Sequence, residues 1–244
     1  MSRLLAIIYG TFSYVVFLAA FLYLIGFVGG LVVPRTVDHA IAAPVGQAVI
    51  VNVLLVTLFA LQHSVMARPA FKRWWTRYVP EPIERSTYVL LASLVLVLMF
   101  WQWRELPTVV WDVTWQPARL VVWALFWLGW LMVLASTFMI NHFELFGLKQ
   151  VFAAWREQPP ADTGFRATML YRVVRHPLML GFIIAYWAAP TMTVGHLLLA
   201  TVSTIWILIA VQIEERDLMA ALGARYAEYR QRVPMLVPGV RSRH

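Results

Sequence analysis

The chain contains no cysteine. That absence removes disulfide scaffolds, iron–sulfur centres, cysteine-ligated zinc and covalent cysteine catalysis, so any thiol chemistry must be brought by a ligand. Charge is also scarce: Asp, Glu, Lys and Arg make up 13% of the 244 residues against 61% hydrophobic. The longest hydrophilic stretch is about 36 residues, too short to fold alone as a soluble catalytic domain. No internal repeat or low-complexity segment is visible. What is plentiful is apolar length, with 12 Trp and 9 Tyr of the kind that populate membrane–water interfaces. The formal charge of +8 is therefore read as orientation signals and anionic-lipid contacts, not as a nucleic-acid surface.

A hydrocarbon core about 30 Å thick needs about 20 helical residues. Four runs meet that length: Leu4 to Val33, Val45 to Met66, Thr87 to Trp103 and Leu120 to Ile140. The first is too long for a signal peptide and stays in the mature chain, tilted or with an interfacial tail. Gly26, Gly29 and Gly30 near its end would either admit a neighbouring helix or loosen the helix terminus. A fifth apolar region, Pro177 to Ile213, is interrupted at Pro190 and by Thr193, Val194, Gly195 and His196. Leu178 to Ala189 would rise only about 18 Å and Leu197 to Ile213 about 25 Å, which predicts a helical hairpin with both ends on one side. Its irregular turn should be buried against protein or lie near the far interface.

With the N-terminus inside, segments 1 to 3, 67 to 86, 141 to 176 and 214 to 244 are cytoplasmic and hold 17 of the 20 Lys and Arg. Only Arg35, Arg104 and Arg119 fall outside, as the positive-inside rule demands. The expected fold is all-α: a polytopic integral membrane bundle of four spans, a C-terminal helical hairpin and a cytoplasmic amphipathic helix. One membrane domain covers 1–244, divided into spans (1–140), a cytoplasmic active-site loop (141–176), the hairpin (177–213) and a C-terminal helix and tail (214–244). Both termini are expected in the cytoplasm, in a bacterial inner membrane.

Polar residues cluster at the cytoplasmic helix ends: Gln62 and His63, Arg85 to Tyr88, Asn141 to Gln150, Tyr171 to His176, and Glu214 to Asp217. His142 has the residue type of a general base near neutral pH, oriented by Asn141 or Glu144; the same residues could equally cap a helix C-terminus. Pro177 suits the first turn of a helix, whose N–H groups, with Arg172 and Arg175, would favour a carboxylate or phosphate. Glu214 and Glu215 are expected to open an amphipathic helix with Leu218, Leu222, Tyr226 and Tyr229 near one face, where at least one acid could simply complement the dipole. The hairpin carries the chain out and back, which brings His176 near Glu214.

Arg175-His176-Pro177 with Leu180 and Gly181, the hairpin, Glu214-Glu215, and Tyr226 and Tyr229 together resemble the isoprenylcysteine carboxyl methyltransferase superfamily of membrane S-adenosylmethionine enzymes over residues 170 to 235. Leu61-Gln62-His63-Ser64, the Phe71 to Trp75 segment, Glu84 to Tyr88 and Asn141 to Gln150 look like its bacterial NnrU-like branch of methanethiol S-methyltransferases, over most of the chain. The resemblance implies a pocket for S-adenosylmethionine, released as S-adenosylhomocysteine, lined by Tyr171, Arg175, His176, Leu180, Gly181, Glu214 and Glu215. Arg172, Pro177 and Gln150 join the cofactor-binding candidates. The chain has Ala210, Val211 and Gln212 where prenylcysteine enzymes carry an Arg, a departure that points away from a carboxylate acceptor.

The implied reaction methylates methanethiol to dimethyl sulfide and needs no metal. Thiolate is the nucleophile, so a base is required; His142 is the first candidate, with Asn141 and Glu144 orienting it or the substrate, and His63 the second. The expected partners are a small volatile thiol and membrane lipid, with no nucleic acid and no obligate protein partner. Competing readings are a methyltransferase for hydrogen sulfide or a prenylcysteine-like thiol, a membrane haem protein using His63, His142, His176 or His196, and a non-catalytic NnrU-like protein.

Overall fold

A computed structural model of the chain describes residues 2–157 and 168–239. Its helices are α1 (Arg3–Gly29), α2 (Val45–Met66), α3 (Pro69–Trp75), α4 (Glu81–Gln102), α5 (Gln116–Ile140), α6 (His142–Leu145), α7 (Leu148–Trp155), α8 (Pro177–Trp187), α9 (Val194–Leu222) and α10 (Ala224–Arg232). A 3-10 turn covers Met169–Arg172, and two short paired strands, β1 (Val109–Asp112) and β2 (Thr191–Thr193), complete the order. Five helices, α1, α2, α4, α5 and α9, are long and apolar enough to cross a membrane; α8 is apolar but has 11 residues. The chain is an all-α polytopic membrane bundle.

It divides into two compact units. The first holds α1 to α4, α6, α7 and the start of α9. Here α1 packs on α4 and α7, and α2 on α4. As far as Ala20, the buried residues of α1 are small, Ala6, Gly10, Ser13 and Ala20, while Leu4, Leu5, Ile8, Phe12, Val15 and Leu22 are exposed; Leu24, Phe27 and Val28 are buried in its last turns. This is the pattern of a helix in lipid, where close backbone approach, not burial of bulky side chains, drives association. A Cβ on Gly10 would stand 2.8 Å from a methyl of Val151 on α7. Two buried hydroxyls are returned to their own helices: Ser13 donates to the Tyr9 carbonyl and Ser93 to that of Val89, both at 2.8 Å. The glycines at the end of α1 close the helix: Gly30 is left-handed (φ 66°) and its N–H donates to the Gly26 carbonyl.

The hairpin turn is anchored within this first unit. Thr193 Oγ1 donates to Asp38 (2.5 Å), the Val194 N–H to the Thr108 carbonyl (2.8 Å) and the Gly195 N–H to that of Leu106 (3.0 Å). Asp38 follows α1 and residues 106–108 follow α4, so the turn reaches the end of the bundle opposite the N-terminus. It is buried, with every one of these backbone groups paired, as irregular chain at a membrane protein's edge must be.

The second unit contains α5, α8, α10 and most of α9. α5 and α8 meet backbone to backbone through glycine: a Cβ on Gly129 would lie 2.7 Å from the Ala185 nitrogen and the Gly181 carbonyl oxygen, and one on Gly181 2.8 Å from the Gly129 carbonyl oxygen. Two helix boundaries differ from expectation. α4 begins at Glu81 instead of Thr87, started by Pro82 with Glu81 and Glu84 in its first turn. α9 does not stop at Ile213: the helix, 29 residues in all, runs on to Leu222, and the break falls at Gly223 (φ 55°). The acidic pair therefore lies inside a helix, about two turns before its end, where the helix dipole gives carboxylates no stabilisation. Another interaction has to hold them.

Gly181→Leu should abolish the α5–α8 crossing, since its neighbours are backbone atoms that cannot rotate away. A loss of at least about 3 kcal/mol is expected, read as a lowered thermal unfolding midpoint by circular dichroism in detergent; an unchanged midpoint would contradict the packing.

Candidate active site

In the second unit, that interaction is a buried ionic cluster joining both ends of the hairpin. Glu215 is 5% exposed and its Oε1 accepts from Arg175 Nε (2.6 Å) and His176 Nε2 (3.1 Å). A carboxylate offers no proton, so the His176 tautomer carries hydrogen on Nε2. Arg175, 4% exposed, also donates through Nη1 to the carbonyls of Arg230 (3.1 Å) and Val233 (2.5 Å). The Arg175 and His176 backbone N–H groups bond the Pro234 and Met235 carbonyls. One guanidinium thus fastens the entry to α8, the inner end of α9 and the chain after α10.

The adjacent carboxylate is placed differently. Glu214 is 43% exposed, with an oxygen 3.6 Å from His176 Nδ1. Burial, and next the charge of Glu214, hold the Tyr171 phenol un-ionised by raising its pKa. Tyr229 is pushed up to about 12 by burial and donates to the Tyr171 carbonyl at 2.5 Å. Beside them, a cleft of ≈ 230 Å³ is lined by Arg172, Arg225, Glu228, Tyr229, Arg232 and Val233. Pro177 takes the first turn of α8, and Gly181 is closed against α5. Leu180 lies one turn into α8, half-buried.

The first unit holds the histidine cluster. Asn141 interrupts the chain between α5 and α6 with a backbone (φ 156°) that non-glycine residues rarely adopt. Its Nδ2 donates to Glu144 Oε2 (2.8 Å), which also receives Lys149 Nζ (2.6 Å). Glu144 is thereby engaged by Asn141 and Lys149. On α1, the Tyr14 hydroxyl lies 2.8 Å from His142 Nε2. Phe146 and Phe143 stand edge-on to the imidazole at 4.8 and 5.4 Å, and Phe17 stacks on Phe146 at 3.8 Å. His142 is 6% exposed, and burial lowers its pKa below 6.5. It is a neutral imidazole at pH 7.

His63, on the exposed side of α2, pairs with the Tyr88 hydroxyl at 3.0 Å. Arg85 lies over the Tyr88 ring at 4.8 Å and donates through Nε to the Leu145 carbonyl (2.8 Å). Gln150 donates to the Glu144 carbonyl (3.0 Å), while its buried Oε1 has no hydrogen-bond partner among the described residues. Gly147, at φ 88°, lets this segment press against α4, since a Cβ there would meet Ser86 Oγ at 2.6 Å. Tyr14 and Arg230 were missed in the sequence. Tyr14 was visible only as a hydroxyl inside an apolar run, with nothing to indicate its partner 128 residues away.

A polytopic α-helical membrane protein, with its charged and titratable groups at the helix ends, is the class that this fold defines. Residues 51–237 match the family model described as NnrU protein, and the chain belongs to that family. It is 66% identical over 238 residues, 98% of each chain, to a methanethiol S-methyltransferase of Mycobacterium tuberculosis. It is 54% identical over 242 residues, 99% of this chain and 93% of the other, to methanethiol S-methyltransferase 2 of Bradyrhizobium diazoefficiens. Nurim of Rattus norvegicus is 32% identical over 177 residues, covering 68% of this chain and 66% of its own. No solved structure matches the chain.

The two glutamates should separate on substitution. Glu215→Gln leaves Arg175 buried without its counter-charge and is expected to cost about 3–5 kcal/mol. Glu214→Gln should stay within about 0.5 kcal/mol of the parent, both measured by thermal unfolding.

Proposed function

We propose that the protein is an S-adenosylmethionine-dependent methyltransferase that converts methanethiol to dimethyl sulfide. The observation that carries this reading is 66% identity, across 98% of both chains, to a protein named for that reaction. The functional groups needed are present. Glu214, with open surface beside His176 and Tyr171, suits the ribose hydroxyls or ammonium of the methyl donor, and Arg172 in its cleft suits the carboxylate. Bound S-adenosylmethionine would supply the electrophilic sulfonium methyl.

The protein's own task is then to position the acceptor and remove its proton, because the thiolate is the nucleophile. His142 is assigned as the proton acceptor over His63. It is buried among aromatic rings and neutral at pH 7, whereas His63 lies on the exposed side of its helix. Segments 1–3, 67–86, 141–176 and 214–244, carrying 17 of the 20 Lys and Arg, are assigned to the cytoplasm.

Purified protein given S-adenosylmethionine and methanethiol should release dimethyl sulfide into the headspace; no product above a no-protein control would reject the reading. Because the His142 pKa is lowered, its base form persists as pH falls through 6.5. The acid-side decline of kcat/KM should therefore fall at a lower pH than an ordinary imidazole would give. His142→Ala should lose about 10²–10⁴-fold together with that acid limb, and a variant retaining the limb would remove His142 from the role. Orientation is testable because the native chain has no cysteine: an impermeant maleimide on intact cells should label Thr114→Cys and spare Arg73→Cys.

A further inference from the structure

We infer that Tyr14 is a catalytic residue, which passes the acceptor thiol's proton to His142. The inference rests on the thiol-methyltransferase reading and extends it to a residue on α1, ahead of the segment that the NnrU family model matches.

The Tyr14 hydroxyl lies 2.8 Å from His142 Nε2, within the range of a well-formed hydrogen bond. In the neutral tautomer whose Nε2 carries no hydrogen, the imidazole accepts there from the phenol, which leaves the lone pairs of the Tyr14 oxygen as the proton-accepting end of the pair. The residues nearest in sequence to His142 are turned to other partners: Glu144 receives Asn141 and Lys149, and the Asn141 carbonyl accepts the Glu144 and Leu145 N–H groups. The surroundings of the pair are apolar and aromatic, with Phe17, Phe143 and Phe146 around the two rings. Such walls suit a small uncharged thiol and are unsuited to delivering it already ionised.

The step balances. The S–H bond breaks and its proton joins the Tyr14 oxygen, while the original Tyr14 proton moves to His142 Nε2. Sulfur keeps the electron pair as thiolate, and the new imidazolium matches its charge a short distance away. After methylation the imidazolium returns its proton through Tyr14 to solvent, so one proton is released per turnover.

The test compares methanethiol with methaneselenol, an acceptor of nearly the same shape that is already ionised at neutral pH. Under single-turnover conditions at pH 7, Tyr14→Phe should slow methylation of the thiol by about 100-fold or more and of the selenol by less than about 3-fold. Equal losses with both acceptors, or no loss with either, would overturn the relay. Should Tyr14→Phe fail to fold, the wild-type protein still decides: its solvent deuterium isotope effect should be larger with the thiol than with the selenol, and equal effects would overturn it. A wild-type protein that methylates neither acceptor would instead reject the methyltransferase reading itself.

Discussion

A hydrocarbon interior offers no partner to a stray polar group, and every functional residue of this chain is placed by that constraint. Hydroxyls within the spans fold back onto their own helices, as Ser13 and Ser93 do. Charges are pushed to the helix ends, and those that are buried there are tied in place. The buried ion pair among these ties is Arg175 with Glu215, at 2.6 Å. A buried pair of this kind need not stabilise more than well-packed apolar residues would, but losing one partner is severe. That asymmetry makes the pair a device of specificity. It admits only the arrangement in which α8 leaves and α9 returns to the same end.

The division of labour in the acidic pair follows from helix geometry. Neighbouring residues on a helix point about 100° apart, so if one carboxylate turns inward its neighbour cannot. Glu215 faces Arg175 and His176 and is engaged by protein; Glu214 faces outward past His176 with nearly half its surface open. Both sit about two turns inside α9, beyond the reach of the helix terminus; it is burial that makes the strong donors around Glu215 a requirement, while the Glu214 side chain stays open.

Apolar length and charge asymmetry are coarse properties summed over 20 residues, and they made the spans legible: Val45–Met66 coincides at both ends with its predicted run. The hairpin was legible for the same reason, as was the meeting of His176 with the acidic pair. Boundaries set by polar residues were not. Glu81 to Ser86 read as loop because they are hydrophilic, yet they form the first turns of α4, where Pro82 and the acids favour a start. The acidic pair read as a helix opening because acids favour N-termini, and tertiary pairing overrode that preference. Least legible were contacts between helices: the partner of His142 was sought among its sequence neighbours, Asn141 and Glu144, while the structure supplies it from α1.

The position of that partner explains why α1 keeps small residues on its inner face. Ala6, Gly10 and Ser13 bring α1 close enough to α4 and α7 for Tyr9 to reach Thr87 at 3.0 Å, and one turn further along the helix Tyr14 reaches His142. A bulkier stripe would hold α1 off by more than the tenths of an ångström that a hydrogen bond tolerates. Close packing in lipid and placement of a phenol beside an imidazole are thus one requirement on α1. The strained Asn141 meets a second requirement on the other side of the pair: it immediately precedes α6, whose first residue, His142, is buried among aromatic rings. Each side of the Tyr14–His142 contact is fixed by backbone, which is what a hydrogen bond of 2.8 Å demands of its surroundings.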